Sequence, residues 1–171
     1  MQWEKVTDII LITSLAVLAV LAALGLYQWI SRKSFKKIDR RLRAFILPLV
    51  LMTFTYIIFD KVLILSTRPD GSGEPSFPST HTMVVATIFF MVMVALPKYV
   101  SKKALCAVLD IVMLILIALT AAGRIISNKH WPMDVACGLV FAAVFAGIYY
   151  FLSKKSPHDI KSSDYSENDS N

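Results

Sequence analysis

Residues 9–30 read IILITSLAVLAVLAALGLYQWI, a run without a single charge. The hydrocarbon core of a bilayer is about 30 Å thick and takes roughly 20 residues of helix, so this stretch is long enough to cross it. Glu4, Lys5 and Asp8 precede the run and a basic cluster follows it. A cleaved leader would have a shorter apolar region behind a positive start, so the segment reads as a retained transmembrane helix. The rest of the chain has the same character. Of its 171 residues 56% are hydrophobic and only 18% charged, with a mean hydropathy of +0.62. A soluble domain would be nearer about half apolar and about a quarter charged.

Four more charge-poor windows of that length follow, at 44–65, 79–97, 104–126 and 132–152. The predicted fold is therefore all-α, a polytopic transmembrane bundle of five spans forming one domain over residues 1–152. Pro132 suits the first turn of the last helix. Residues 153–171 are rich in Ser, Asp, Asn and Lys and lack the apolar content to fold, so they are expected to form a disordered tail. Cys106 and Cys137 lie inside apolar runs, where a thiol behaves as a small hydrophobe, and no Cys/His spacing suggests a metal.

Net charge of +6 could point to nucleic acid, but the basic residues are separated by apolar stretches rather than gathered with aromatics on one face. Their distribution instead reports topology. Arg32, Lys33, Lys36, Lys37, Arg40, Arg41 and Arg43 follow the first span, Lys98, Lys102 and Lys103 follow the third, and Lys154, Lys155 and Lys161 lie in the tail. By the positive-inside rule this face is cytoplasmic. The N-terminus and the loops 66–78 and 127–131 are then expected outside a plasma membrane, read as bacterial, with the C-terminus inside.

At span ends on the outer side stand Lys61, Arg68, His81, Arg124 and His130, with Asp134 opening the fifth span. Ionisable residues in such positions are a site hypothesis by default. Snorkelling would account for any one long side chain, but not for two histidines and three cations gathering on the face that holds few other cations. Lys and Arg neutralise phosphoryl oxygens, and Arg presents a fork that matches two of them. One imidazole can attack phosphorus while another protonates the leaving oxygen. A carboxylate bonded to one ring nitrogen would hold the other as the free nucleophile, and on a continuous helix Asp134 would share a face with His130. Ser79 opens the third helix, where free backbone N–H groups favour an anion. The cluster reads as a phosphoryl-transfer site.

These residues resemble the type 2 phosphatidic acid phosphatase superfamily. Lys61 followed after six residues by Arg68-Pro69 matches its first signature. Pro78-Ser79-Thr80-His81 resembles the second, usually PSGH. Gly123-Arg124, five residues, His130, three residues and Asp134 resembles the third, usually opened by Ser-Arg. The resemblance implies His130 as the nucleophile that forms a phosphohistidine, Asp134 as its orienting partner and His81 as the acid. It implies Lys61, Arg68, Ser79 and Arg124 as holders of the phosphate, with no metal or cofactor. Thr80 and Gly123 depart from the pattern, at a glycine and a serine respectively.

The implied substrate is a lipid phosphate met in the membrane, such as undecaprenyl pyrophosphate, phosphatidylglycerophosphate or phosphatidate. A lipid-phosphate binding or transport protein without turnover is the alternative, and the paired histidines argue against it. Membrane lipids are the remaining expected partners; nucleic acid is not one, and the oligomeric state is not legible. Asp110 lies about 21 Å along its helix from Arg124 and is set aside as structural. Lys129 reads as a solvated loop lysine, Trp131 as an interfacial anchor and His158 as inert.

Overall fold

The computed structural model describes residues 2–35 and 38–154. Lys36, Lys37 and the expected tail from residue 155 onward, with its Lys155, His158 and Lys161, lie outside the described residues. The helices are α1 (Gln2–Arg32), α2 (Arg40–Ala44), α3 (Ile46–Ile57) continued by one π-helical turn (Ile58–Val62), α4 (Thr80–Tyr99), α5 (Lys103–Ile126) and α6 (Pro132–Ser153). Among the described residues five stretches are long and apolar enough to cross a membrane, with 40–62 counting as one. The protein is an all-α bundle, as the five apolar windows predict.

Two boundaries differ from expectation for physical reasons. Helix α1 begins at Gln2 rather than residue 9, because Glu4, Lys5 and Asp8 are compatible with helix even though they end the apolar run. The second span ends at Val62 rather than 65 and is interrupted at Phe45. Pro48 has no N–H to offer the Ala44 carbonyl, four residues back, and its ring would crowd that oxygen. The chain adapts with a tighter bond from Phe45 N–H to Leu42 O at 3.4 Å, then resumes with Leu49 N–H to Phe45 O at 3.2 Å.

Helix α4 is the centre of the bundle and packs against α1, α5 and α6. Its Met83, Val85, Ala86, Ile88 and Met91 are completely buried. Between helices in lipid, close backbone approach replaces the hydrophobic drive as the source of association. Gly138 of α6 shows this: a Cβ there would stand 3.0 Å from Ser79 O and 3.4 Å from Met83 N, both backbone atoms that cannot swing away. Thr13, Thr53 and Thr120 turn their hydroxyls back onto carbonyls of their own helices, Thr120 to Leu116 O at 2.9 Å, which pairs those donors in hydrocarbon. The buried Thr87 and Tyr149 hydroxyls, by contrast, have no partner among the described residues. Asp110 Oδ1 is buried without a hydrogen-bond partner among the described residues.

Between the π turn and α4 the chain forms a small hairpin. Thr67 and Pro75 bridge it, Arg68 N–H bonds Glu74 O and Ser76 N–H bonds Ser66 O, each at 3.0 Å. Its turn uses Gly71 (φ 78°) and Gly73 (φ 73°), left-handed conformations that suit glycine.

Candidate active site

One end of the bundle encloses a cavity of 410 Å³ whose upper wall carries Arg68, His81, Arg124 and His130 and whose deeper wall carries Leu11, Leu15, Met52 and Val84. Four elements supply the polar groups: the hairpin gives Arg68, the first turn of α4 gives His81, the last turn of α5 gives Arg124, and the 127–131 turn gives His130. That turn is folded back tightly, with Lys129 N–H and His130 N–H both bonding Arg124 O at 3.2 Å. The bonds hold His130 against the arginine six residues before it.

His130 is 4% exposed, and its two nitrogens do different things. Nδ1 lies 2.7 Å from the Ser76 carbonyl oxygen. A carbonyl can only accept, so Nδ1 carries the proton and Nε2 keeps its lone pair. Nε2 accepts from Arg124 Nη2 at 3.3 Å. Burial, then the Arg124 guanidinium, lowers the imidazole pKa to about 4, so the ring is neutral at physiological pH. Near neutrality His130 is thus an unprotonated nitrogen beside a cation.

Asp134 does not bond that ring directly. Its Oδ2 is 4.0 Å from His130 Nδ1 and instead accepts the Trp131 N–H at 3.0 Å. The continuous-helix geometry fails because α6 begins at Pro132, leaving His130 in the preceding turn. Asp134 acts one layer back. Its Oδ1 accepts from Ser66 Oγ at 3.3 Å, Ser66 Oγ bonds Ser76 Oγ at 2.8 Å, and Ser76 presents the carbonyl that orients the histidine. A backbone oxygen leaves no trace in a residue pattern, which is why sequence reasoning missed it.

Two further expectations are corrected. Lys61 ends on the outside of the π turn, its side chain 67% exposed and paired with Asp60 at 2.7 Å, and it does not line the cavity. The extra residue per turn of the π geometry rotates Asp60, rather than Lys61, onto the cavity side. Ser79 is fully buried. Its hydroxyl pairs with Thr82 Oγ1 at 3.0 Å and its N–H bonds Asp134 O at 3.0 Å, so both groups are committed to the α4–α6 junction. Thr80 begins helix α4, a conformation open to any L-residue, which removes the need for glycine there.

Two cationic groups in the wall have donors without partners. Nε of Arg68 and Nε of Arg124 are buried and unbonded among the described residues. Arg68 Nη1 pairs with Glu74 at 2.5 Å, and Arg124 Nη2 with His130. Buried unpaired guanidinium donors are costly and call for an anion to complete them.

Lys129, read as solvated, is instead clamped between Asp70 at 3.1 Å and Glu4 at 3.5 Å. Ser72 hydrogen bonds and Lys129 together hold the Asp70 carboxyl far below the usual range.

Residues 59–157, more than half of the chain, match the PAP2 superfamily. The protein is a member of that superfamily. Over 89 residues it is 31% identical to a lipid A 1-phosphatase of Porphyromonas gingivalis, an alignment that covers 50% of this chain and 18% of that protein. The chain thus spans about a fifth of the length of this relative. Its fold matches the crystal structure of a transmembrane PAP2 type phosphatidylglycerolphosphate phosphatase from Bacillus subtilis with a TM-score of 0.63. That match covers 87% of this chain and 73% of the other at 18% identity. Within the PAP2 superfamily, the second and third signatures of this chain fall where α4 begins and where α5 passes into α6.

Proposed function

We propose that this PAP2 protein hydrolyses a lipid phosphate or pyrophosphate by covalent catalysis at His130. The observation that carries the reading is the pairing of a lone-pair nitrogen, His130 Nε2, with Arg124 at 3.3 Å, beside two buried guanidinium donors that lack partners. Arg68, Arg124 and His130 line one cavity, so a phosphate held there by the two guanidinium groups would lie beside Nε2. Attack forms the P–N bond and breaks the bond to the leaving oxygen, which takes a proton from His81. Water then displaces the histidine nitrogen, gives its proton back to His81 and releases phosphate. As negative charge shifts on the phosphoryl oxygens, Arg68 and Arg124 stabilise the transition state.

The apolar deeper wall favours a substrate with a hydrocarbon tail. Relatives named for lipid A and phosphatidylglycerolphosphate support the same class, and undecaprenyl pyrophosphate, phosphatidylglycerophosphate and phosphatidate are the candidates. The positive-inside distribution assigns the site and N-terminus to the extracytoplasmic face and the C-terminus to the cytoplasm.

Purified protein with EDTA present is expected to release phosphate from at least one of these lipids. An acid-labile phosphoprotein is expected on rapid quenching, and His130→Ala is expected to abolish both signals. Phosphate release by that variant at the wild-type rate overturns the mechanism; wild-type protein that binds these lipids without releasing phosphate favours a binding function. A cysteine at Ser72, on the exposed hairpin, is expected to react with an impermeant label from outside intact cells. Reaction only after lysis reverses the topology.

A further inference from the structure

Helix α1 carries none of the three signatures, yet it enters the site. Asp8 Oδ1 lies 3.0 Å from His81 Nε2, with the aspartate side chain half exposed and the histidine largely covered. The contact depends on how closely α1 approaches α5. At Gly123 a Cβ would stand 2.6 Å from Thr7 Cγ2, so only glycine lets the first turns of α1 lie flat against the end of α5. Thr7 is completely buried there, and Asp8 follows it directly. The same end of α1 is tied to the site loops through Glu4 and Lys129. The position where this chain departs from the usual serine is therefore the position that admits the helix carrying a new carboxylate.

Resting on the phosphatase reading above, we infer that Asp8 is a positioning residue for His81, brought into the site by the Gly123 contact. The carboxylate accepts the Nε2–H, which fixes the ring and leaves Nδ1 as the nitrogen that exchanges the proton. In the first half-reaction Nδ1–H protonates the departing oxygen and His81 becomes neutral, its remaining proton on Nε2 facing Asp8. In the second, water returns a proton to Nδ1 as its oxygen bonds to phosphorus and the P–N bond breaks. The Asp8 carboxylate keeps the Nε2–H bond through both events and balances the imidazolium that is present before the first and restored by the second. As an anion near the phosphate pocket it cannot itself assist binding of the substrate anion, so its contribution is to turnover rather than affinity.

The leaving group decides the test. An alkoxide needs protonation, whereas p-nitrophenolate departs without it. Asp8→Asn is expected to lower kcat on dioctanoyl phosphatidate at least tenfold without raising KM, with a much smaller loss on p-nitrophenyl phosphate. Asp8→Glu is expected to recover part of the loss. Gly123→Ala is expected to show the same substrate-selective loss, and the double variant Thr7→Ala with Gly123→Ala to reverse it by removing the colliding methyl. Equal losses on both substrates, or no loss, overturn the role of Asp8 while leaving the phosphatase reading intact. Wild-type protein inactive on both substrates and also on undecaprenyl pyrophosphate and phosphatidylglycerophosphate overturns the phosphatase reading and the inference with it.

Discussion

The two ends of this bundle are both lined with arginine, and they use it in opposite ways. At the end away from the cavity Arg40 Nε bonds Leu152 O at 2.9 Å and Arg41 Nη1 bonds Ala95 O at 3.2 Å. Each guanidinium satisfies a carbonyl near the C-terminus of α6 or α4, where the helix dipole favours a cation. Lys98 pairs with Asp39, which also accepts the Arg41 N–H and caps α2. Arg43 differs, its Nε buried beside an apolar groove. At the cavity end Arg68 and Arg124 line the cavity, and the Nε of each is buried and unbonded among the described residues. The same residue type is structural where it finds carbonyls and available for chemistry where the fold withholds them.

The sharpest way to break this contrast is Arg124→Ala. It is expected to lower kcat/KM by about 10²–10³, the scale of losing one charge-stabilising donor at a transition state. Arg41→Ala is expected to leave turnover alone. A comparable loss of turnover in both variants would erase the distinction between the ends.

The second prediction concerns pH. Protonation removes the His130 lone pair, so activity is present above its pKa and lost as pH falls through it. With that pKa lowered to about 4, the acid limb of kcat/KM is expected near there, well below the roughly 6.5 of an ordinary histidine. A limb at the ordinary value would mean that burial and Arg124 do not act on the nucleophile as described.

Stability should respond at the other end. Arg41→Ala is expected to cost about 1–3 kcal/mol by stripping the Ala95 carbonyl of a charged donor, measured by thermal unfolding in detergent. Burial alone would push the Asp39 carboxyl up, but Lys98 and the Arg41 N–H together bring it below its ordinary value. A depressed carboxylate contributes stability that is present above its unfolded pKa and is lost as pH falls through the folded one. Asp39→Asn is therefore expected to make the melting temperature change less between pH 7 and pH 4. The smallest effect is predicted for Lys61→Ala. Its ammonium is exposed, screened by solvent and outside the cavity lining, so kcat/KM is expected to change by less than about fivefold. A loss as large as that of Arg124→Ala would place Lys61 in the phosphate site after all.

Helix existence was legible because each span is a long apolar run, and hydropathy reports that directly. The break at Phe45 was not, since it depends on Pro48 meeting one particular carbonyl. Arg68, His81, Arg124 and His130 were legible as unusual charges at span ends, and the cavity brings those four together. Lys61 and Ser79 were misplaced because spacing does not say which way a side chain turns once a π turn or a buried junction intervenes. Asp8 and Ser76 were invisible for different reasons. Asp8 looked like an ordinary charge ahead of a span, and only the Gly123 contact shows why it reaches His81; Ser76 contributes a carbonyl that every residue possesses.

The apolar deeper wall of the cavity has a kinetic consequence. If the substrate tail lies against Leu11, Leu15 and Met52 while its head reaches the arginines, the molecule never has to leave the leaflet to react. Encounter is then a two-dimensional search, and the velocity should track the mole fraction of substrate in the membrane rather than its bulk concentration. Adding inert phospholipid at constant total substrate should slow the reaction by surface dilution alone.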